Sequence, residues 1–409
     1  MKTPTQLIVK ESKIFTIILL LGISSCLKPI QVEKEAFIDK TDSKSISFIV
    51  EEAPDWTNLF KRTSGWLGGD GIYAIPQSGI DSDTAKGETT ILFSDSMFGD
   101  IKNGKLKPGA TLINNSVGIL TGGEPRPDKI KFYSDKLPNG SPKSLFIPSS
   151  PNTKPGEYFW LGDGFVNHEL NDNTYIFGYR MTNSGGNFGF ATAGTTFIIL
   201  PKGSKPPYKN QRQLDNPFFI YNTEEVESTI FGSAIFDNSK KAGVTNGDGY
   251  VYVYGIRGFA KNLVVARVLP VDFENFSKWR FWNGSQWQSN IYVVANVTNH
   301  LSNELSVSRL PDGRYIVFFQ VDGISSKIGA RIGKTPVGPF GPILNVYDCK
   351  NALENVSGIF AYNAKAHPSL SKPNEILVSY NVNSFDFLTV ITNNPNLYRP
   401  RFITIKMVP

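Results

Sequence analysis

Cysteine occurs twice in this 409-residue chain, histidine three times and methionine four times. Two cysteines exclude a thiolate zinc centre, and no histidine stands at metal-ligand spacing from another. Charged residues make up only 19%, which excludes long solvated helices and charged tails. The formal charge of +6 is diffuse, with no Lys/Arg cluster interleaved with aromatics, so no nucleic-acid partner is expected. Outside one N-terminal apolar stretch no segment sustains a helical period. G-x-S-x-G, P-loop and H-E-x-x-H motifs are absent, as are repeated S-x-D-x-G-x-T-W boxes. Nucleotide, zinc-protease and serine-hydrolase chemistries lose their usual signatures.

What the chain does hold is glycine (37), proline (26), phenylalanine (29) and tyrosine (16), a turn-rich and aromatic-rich composition that favours strands. Beyond residue 60 almost every segment reads as a short strand bounded by Gly, Pro, Asn or Asp. The strands recur in five groups, roughly 64–135, 143–215, 227–285, 300–348 and 356–408. In each the second strand is the most aromatic: "ILFSDS", "YIFGYR", "VYVYGI", "IVFFQV" and "LVSYNV". Radial repetition of antiparallel groups predicts an all-β fold, a five-bladed β-propeller over residues 46–409. A pair of β-sandwiches or a parallel β-helix is the runner-up, although a β-helix would repeat more regularly. The segment "FIDKTDSKSISFIVEEAPDWTNLF" is expected to add an outer strand to the last blade and close the ring.

The N-terminus reads as a targeting segment. A basic leader, "MKTPTQLIVKESK", precedes the short apolar core "IFTIILLLGI", and "ISSC" ends it at Cys26. The apolar run is too short to span a bilayer as a mature helix. Small residues directly before a cysteine resemble the lipobox of bacterial lipoproteins. Residues 1–25 are therefore expected to be a signal peptide, Cys26 the lipidated first residue, and 26–45 a polar tether. The expected location is the bacterial cell envelope, at the outer membrane or in the periplasm, with the protein a monomer held to the membrane through Cys26. Lipidation leaves Cys349 without a partner, so no disulfide framework is expected.

Two glycine-framed aspartates stand out: Asp70 in "GWLGGDGIYAIP" and Asp163 in "YFWLGDGFVNHEL". First strands of propeller blades line the axis, and here they place Asp70, Asp163, Glu304 and His367 close to it. Asp95, in "LFSDSMFGD", arrives beside Asp70 from the following strand. Converging carboxylates on an aromatic-rich face are what glycoside cleavage needs: one protonates the leaving oxygen while the other activates water or attacks the sugar. Asp70 and Asp95 are the expected catalytic pair, with Asp163, Glu304 and His367 orienting substrate or tuning their pKa values. Trp66, Tyr73 and Trp160 fit either the core or sugar-stacking platforms. An aspartate beside glycine is also the commonest kind of turn residue, bonding nearby backbone amides. Neither a cofactor nor a metal is expected, although a histidine at a propeller axis can hold an ion or water.

The stretches "GWLGGDGIYAIP", "ETTILFSDSMFGD" and "LINNSVGI" resemble the opening blade of domain of unknown function 4185. In that family a W-x-G-G-D-(G/A)-x-Y-S-(V/I) strand is followed by an "FGDT" strand and an "NNS" segment. Its members are associated with glycoside hydrolase family 183, endo-acting D-arabinofuranases that cut the α-linked D-arabinan of mycobacterial arabinogalactan and lipoarabinomannan. The resemblance implies a five-bladed propeller that hydrolyses a furanose-containing polysaccharide, with the family's two acidic positions falling on Asp70 and Asp95. "FSDS" replaces "FGDT" here, keeping the aspartate and changing its neighbours. The competing expectation is a glycan-binding surface lipoprotein of the same fold without a productive carboxylate pair.

Overall fold

A computed structural model describes residues 46–82, 86–185, 189–353 and 358–408. Cys26, the apolar leader and the tether lie outside the described residues. Among those described, no helix is long and apolar enough to cross a membrane.

The architecture is all-β. Each of the five strand groups forms one antiparallel sheet of at least four strands. The first sheet runs Tyr73–Pro76, Glu88–Phe93, Ser116–Thr121 and Ile130–Tyr133, and the second Tyr158–Asn167, Asn173–Asn183, Phe190–Leu200 and Arg212–Asn216. The third is built on Thr229–Asp237, Val251–Arg257, Asn262–Val268 and Arg280–Trp282, with a two-residue strand added at either side. The fourth comprises Leu305–Arg309, Tyr315–Gln320, Lys327–Gly333 and Leu344–Asp348. Ile359–Ala366, Ile376–Ser384 and Arg401–Val408 make the fifth, and its outer strand comes from the other end of the chain. Ser47–Glu52 pairs antiparallel with Arg401–Val408, in register from Ser47 opposite Val408 to Glu52 opposite Ile403. The closing strand expected from "SISFIVEE" is present, and it pairs an otherwise open edge.

Each sheet packs its two faces against two neighbours. One apolar cluster lies between the first and second sheets, around Phe146, Phe159 and Ile198. Others lie between the second and third, around Phe177, Phe197 and Phe218, and between the third and fourth, around Tyr254 and Phe319. The cycle continues between the fourth and fifth (Phe318, Val378) and closes between the fifth and first (Phe402, Phe93). This explains the aromatic second strands. A strand buried on both faces has no use for polar alternation, and all of Tyr315–Gln320 is buried.

The innermost strands of the second, third and fifth sheets each carry a bulge at the same depth. Register shifts fall between Leu161 and Gly164, Phe231 and Ala234, and Tyr362 and Lys365. Bulges re-aim side chains, and Asp163 sits in the first of them. An extra sheet interrupts the first one. Ser64–Gly69 pairs with Ser96–Lys102, Gly69 opposite Ser96, and the latter strand pairs with Thr111–Ile113. Asp70 follows directly on the first of these strands and Asp95 directly precedes the second.

Candidate active site

The register of the extra sheet places Asp70 and Asp95 together. The Asp70 amide donates to the Asp95 carbonyl at 3.2 Å, and the Ser94 amide to the Asp70 carbonyl at 2.8 Å. Glycine makes this junction possible: a Cβ on Gly68 would sit 1.5 Å from the Tyr398 carbonyl oxygen. Both carboxyls are half-buried. The Tyr362 hydroxyl donates to Asp70 Oδ2 at 2.7 Å, and Asn383 Nδ2 donates to that hydroxyl at 3.3 Å. Asp95 Oδ1 accepts from Trp160 Nε1 at 2.9 Å and, at a longer 3.5 Å, from Asn114 Nδ2. The Tyr398 hydroxyl donates to the Asp95 carbonyl at 3.0 Å.

Burial, followed by the negative charges of Asp95 and Glu304, pushes Asp70 up to about 8 despite the phenol hydrogen bonds. Burial also raises Asp95, but the Trp160 and Asn114 donors hold it to about 6. Both carboxyls are raised, and Asp70, which faces more negative charge, is raised further. An acid/base pair needs its two carboxyls pushed apart in this way.

The motif "SDS…NNS" is a local truss. Ser96 Oγ bonds the Ser94 carbonyl at 2.8 Å and shares a 2.7 Å bond with Ser116 Oγ. Asn115 Nδ2 reaches the Phe146 and Phe159 carbonyls, tying the first sheet to the second. Ser94 Oγ accepts from the Leu161 amide at 2.9 Å, fixing the start of the strand that carries Trp160.

Asp163 has a different task. Its Oδ1 accepts from the Gly164 amide at 2.8 Å and its Oδ2 from the Ile235 amide of the third sheet at 2.7 Å. Both oxygens are spent on backbone, so the carboxylate clamps two sheets and is not positioned as a substrate ligand. The glycines round it serve the same packing: a Cβ on Gly164 would meet the Tyr175 carbonyl oxygen at 2.5 Å and Ile75 Cδ1 at 2.6 Å. Desolvation drives Asp163 up to about 7.

Glu304, just before the innermost strand of the fourth sheet, pairs with the buried ammonium of Lys365. Burial raises Glu304, and Lys365 opposes the rise. Lys365 also stands 4.4 Å from the ring centre of Tyr73. Beyond it a narrow cavity of about 30 Å³ is lined by Asp81, Asp163, Lys365 and His367, among others. It has room for roughly two waters and none for a sugar. His367 is buried, its Nε2 lies 2.7 Å from Ser379 Oγ, and desolvation pulls its pKa down to about 3. It is a neutral imidazole at physiological pH and carries no proton for the carboxylates. Among the described residues no group of three or more His, Cys, Asp or Glu is arranged to hold a metal ion.

Of the two places open to the aromatics, core or sugar platform, Trp66 and Tyr73 take the core. Trp66 lies in the core, stacked on Phe132 with ring centres 4.4 Å apart and flanked by Phe60 and Phe93. Tyr73 is 2% exposed and donates its hydroxyl to the Ser233 carbonyl at 3.0 Å. Neither can present a ring to a sugar. Trp160 is half-buried, with Phe190 edge-on to it at 4.5 Å. Sequence reasoning passed over Tyr362, Tyr398, Asn383 and Lys365, all from the fifth group. It quoted Asn114 in "NNS" without a role.

Fold and site together define an all-β protein with a paired-carboxylate centre. The chain belongs to the family described as Domain of unknown function (DUF5005), whose model matches residues 54–407. That is a different family from domain of unknown function 4185, which the opening strands resemble. No curated protein matches the chain. Among solved structures, a "putative hydrolase" from Bacteroides ovatus shares the fold at TM-score 0.67 and 18% identity, over 88% of this chain and 90% of that one. An α-L-arabinofuranosidase from Podospora anserina, solved with cellotriose, aligns at TM-score 0.42 and 11% identity, over 85% of this chain and 98% of that one. A GH43_1 enzyme from Xanthomonas citri, solved with xylose, aligns at TM-score 0.42 and 12% identity, over 87% and 94%.

Proposed function

We propose that the closed cycle of five sheets is a five-bladed propeller and that the protein is a glycoside hydrolase acting on a furanose-containing polysaccharide. The observation that carries this reading is the Asp70–Asp95 pair, adjacent in space, half-buried, and set in different surroundings: a phenol and further negative charge for Asp70, an indole and an amide donor for Asp95. Asp70 donates its proton to the leaving oxygen. Asp95, kept ionised by Trp160 and Asn114, activates water or attacks the anomeric carbon. Glu304 acts at one remove, its charge making Asp70 hold the proton more tightly. The choice of D-arabinan, cut internally, follows the resemblance of residues 65–119 to the opening blade of 4185 and rests on those motifs alone.

The test is incubation of the purified protein with arabinans and other polysaccharides, with Asp70→Asn as control. Oligosaccharides released from an arabinan by the parent protein and not by the variant support the reading. Binding without release from any glycan of the panel would instead favour a non-catalytic glycan-binding protein. We also propose, from sequence alone, that Cys26 is acylated and tethers the propeller to the cell envelope. Mass spectrometry of protein taken from its native membrane should find the acylated cysteine at the mature N-terminus.

A further inference from the structure

Tyr362 and Lys365 lie on the innermost strand of the fifth sheet, at a spacing that in a regular strand sends side chains to opposite faces. The bulge between them changes that. Tyr362 stands opposite Asn381 and Lys365 opposite Ser379, alternate residues of the neighbouring strand, so both side chains take one face. Asn363, inside the bulge, takes up the extra length with a left-handed φ of 61°. From that one face Tyr362 reaches Asp70 and Lys365 reaches Glu304.

The Lys365–Glu304 ion pair is sealed in protein, its side chains 1% and 13% exposed. The Tyr73 ring covers the ammonium at 4.4 Å, and the Tyr73 hydroxyl is held by the Ser233 carbonyl of the third sheet. The pair also has a direction. Glu304 just precedes its strand, while Lys365 lines the narrow cavity that Asp81, Asp163 and His367 share. Electrostatics follows the same line: burial, Asp95 and then Glu304 raise Asp70, whereas burial and then Lys365 lower His367. A buried ion pair is a weak source of stability, since apolar residues of similar volume often serve as well. One whose negative end faces a carboxyl pair has another use.

We infer that Lys365 is a positioning residue for the carboxylate pair: it keeps Glu304 a carboxylate and fixes that charge facing Asp70. The inference rests on the proposed role of Asp70 as the acid. Without the ammonium, the buried Glu304 takes up a proton, Asp70 loses a negative neighbour, and Asp70 gives up its own proton at lower pH. The other ionisable groups near the pair leave this chain of effects intact. Burial keeps Tyr73 and Tyr179 protonated and His367 neutral, and two backbone amides hold Asp163. Asp95, Tyr362 and Tyr398 surround Asp70 itself.

NMR of carboxyl-labelled aspartates, with Asp70 assigned from the Asp70→Asn spectrum, follows the Asp70 midpoint without substrate. Lys365→Met and Glu304→Gln should each lower it by about one pH unit. Adding Lys365→Met to Glu304→Gln should leave it there, because the lysine acts only through Glu304. That double variant removes both buried charges, so it keeps the test open if Lys365→Met alone fails to fold. The alkaline limb of the rate profile should move with the midpoint, with KM little changed. A midpoint unmoved by Glu304→Gln, or one in Lys365→Met equal to the parent's, would overturn the inference. So would a midpoint in the double variant that differs from that of Glu304→Gln, or lost stability on an unmoved midpoint. The two readings fail separately. Lowered midpoints in a protein that hydrolyses no glycan remove the proposed activity and keep the positioning role. Hydrolysis by the native protein with unmoved midpoints in the variants removes the positioning role and keeps the activity.

Discussion

Asp70 and Asp163 occupy nearly the same local sequence, W-L-(x)-G-D-G, and end in different chemistry. Asp163 accepts two backbone amides, one from its own bulge and one from the adjoining sheet. Asp70 accepts a phenol from the far end of the chain and faces the charges of Asp95 and Glu304. The motif therefore puts an acidic residue between glycines near an innermost strand without fixing its setting: Asp163 lies within the bulge of Tyr158–Asn167, and Asp70 lies three residues ahead of Tyr73–Pro76. Whether that residue clamps sheets or serves chemistry depends on what the neighbouring sheet offers it. Two backbone amides, one of them from the third sheet, occupy both oxygens of one carboxylate, whereas the other shares its surroundings with the negative charges of Asp95 and Glu304.

The comparison breaks most visibly in activity. Asp70→Asn and Asp95→Asn should each lower kcat by about 10²–10⁴, with the double variant little worse than either single one. Thermal melting should barely move for Asp70→Asn, because the amide replaces a carboxyl that is already protonated near neutral pH. An active Asp70→Asn protein would end its assignment as the acid.

Asp163→Asn should do the reverse. An amide has one acceptor oxygen for two backbone donors, so one N–H loses its partner, at a cost of about 1–3 kcal/mol in stability. Activity per folded molecule should be kept, as measured by kcat alongside denaturant titration.

Trp160→Phe sharpens the contrast from the other side. It keeps an aromatic ring beside Asp95 and removes an N–H that lowers the Asp95 pKa. The rate profile should rise through the Asp95 value of about 6 and fall through the Asp70 value of about 8 in the parent protein. In the variant the acid limb should move up by about one pH unit, with KM little changed. A raised KM on an unmoved profile would mean that the indole only stacks.

The smallest effect is on stability against pH. Asp70 and Asp163 keep protons in the folded chain that an unfolded chain gives up near the ordinary value of 3.8. Their contribution is full below that value and is lost as pH rises through about 7 for Asp163 and about 8 for Asp70. His367 works oppositely. Its contribution is full above the ordinary 6.5 and is lost as pH falls toward about 3. Raising pH from about 6.5 to about 8.5 should therefore lower the melting temperature, and Asp163→Asn should flatten that slope.

The sheets were legible because their signal is local. Each group carries an apolar second strand and turn residues at its ends, and "SISFIVEE" announces a strand with no partner nearby. Asp95 was legible from the same motifs as Asp70. The aromatic residues were not, because a strand sends successive side chains to opposite faces and sequence does not say which face meets another sheet. Trp66 and Trp160 both precede "L-G" in matching motifs, yet one is packed under Phe132 and the other borders the site. The tyrosines that complete the pair were out of reach for a different reason. Tyr362 and Tyr398 lie 292 and 303 residues from the aspartates they bond, and nothing in "YNAKAH" or "NPNLYRP" points that far back.

That separation governs when the protein can work. The carboxylates are synthesised about 300 residues before their phenol partners, and the sheet that carries Tyr362 is itself completed by Ser47–Glu52, made earlier still. No growing chain can carry the assembled centre until the fifth sheet has emerged and paired. Until then Asp70 and Asp95 lack the hydroxyls of Tyr362 and Tyr398 that complete the pair.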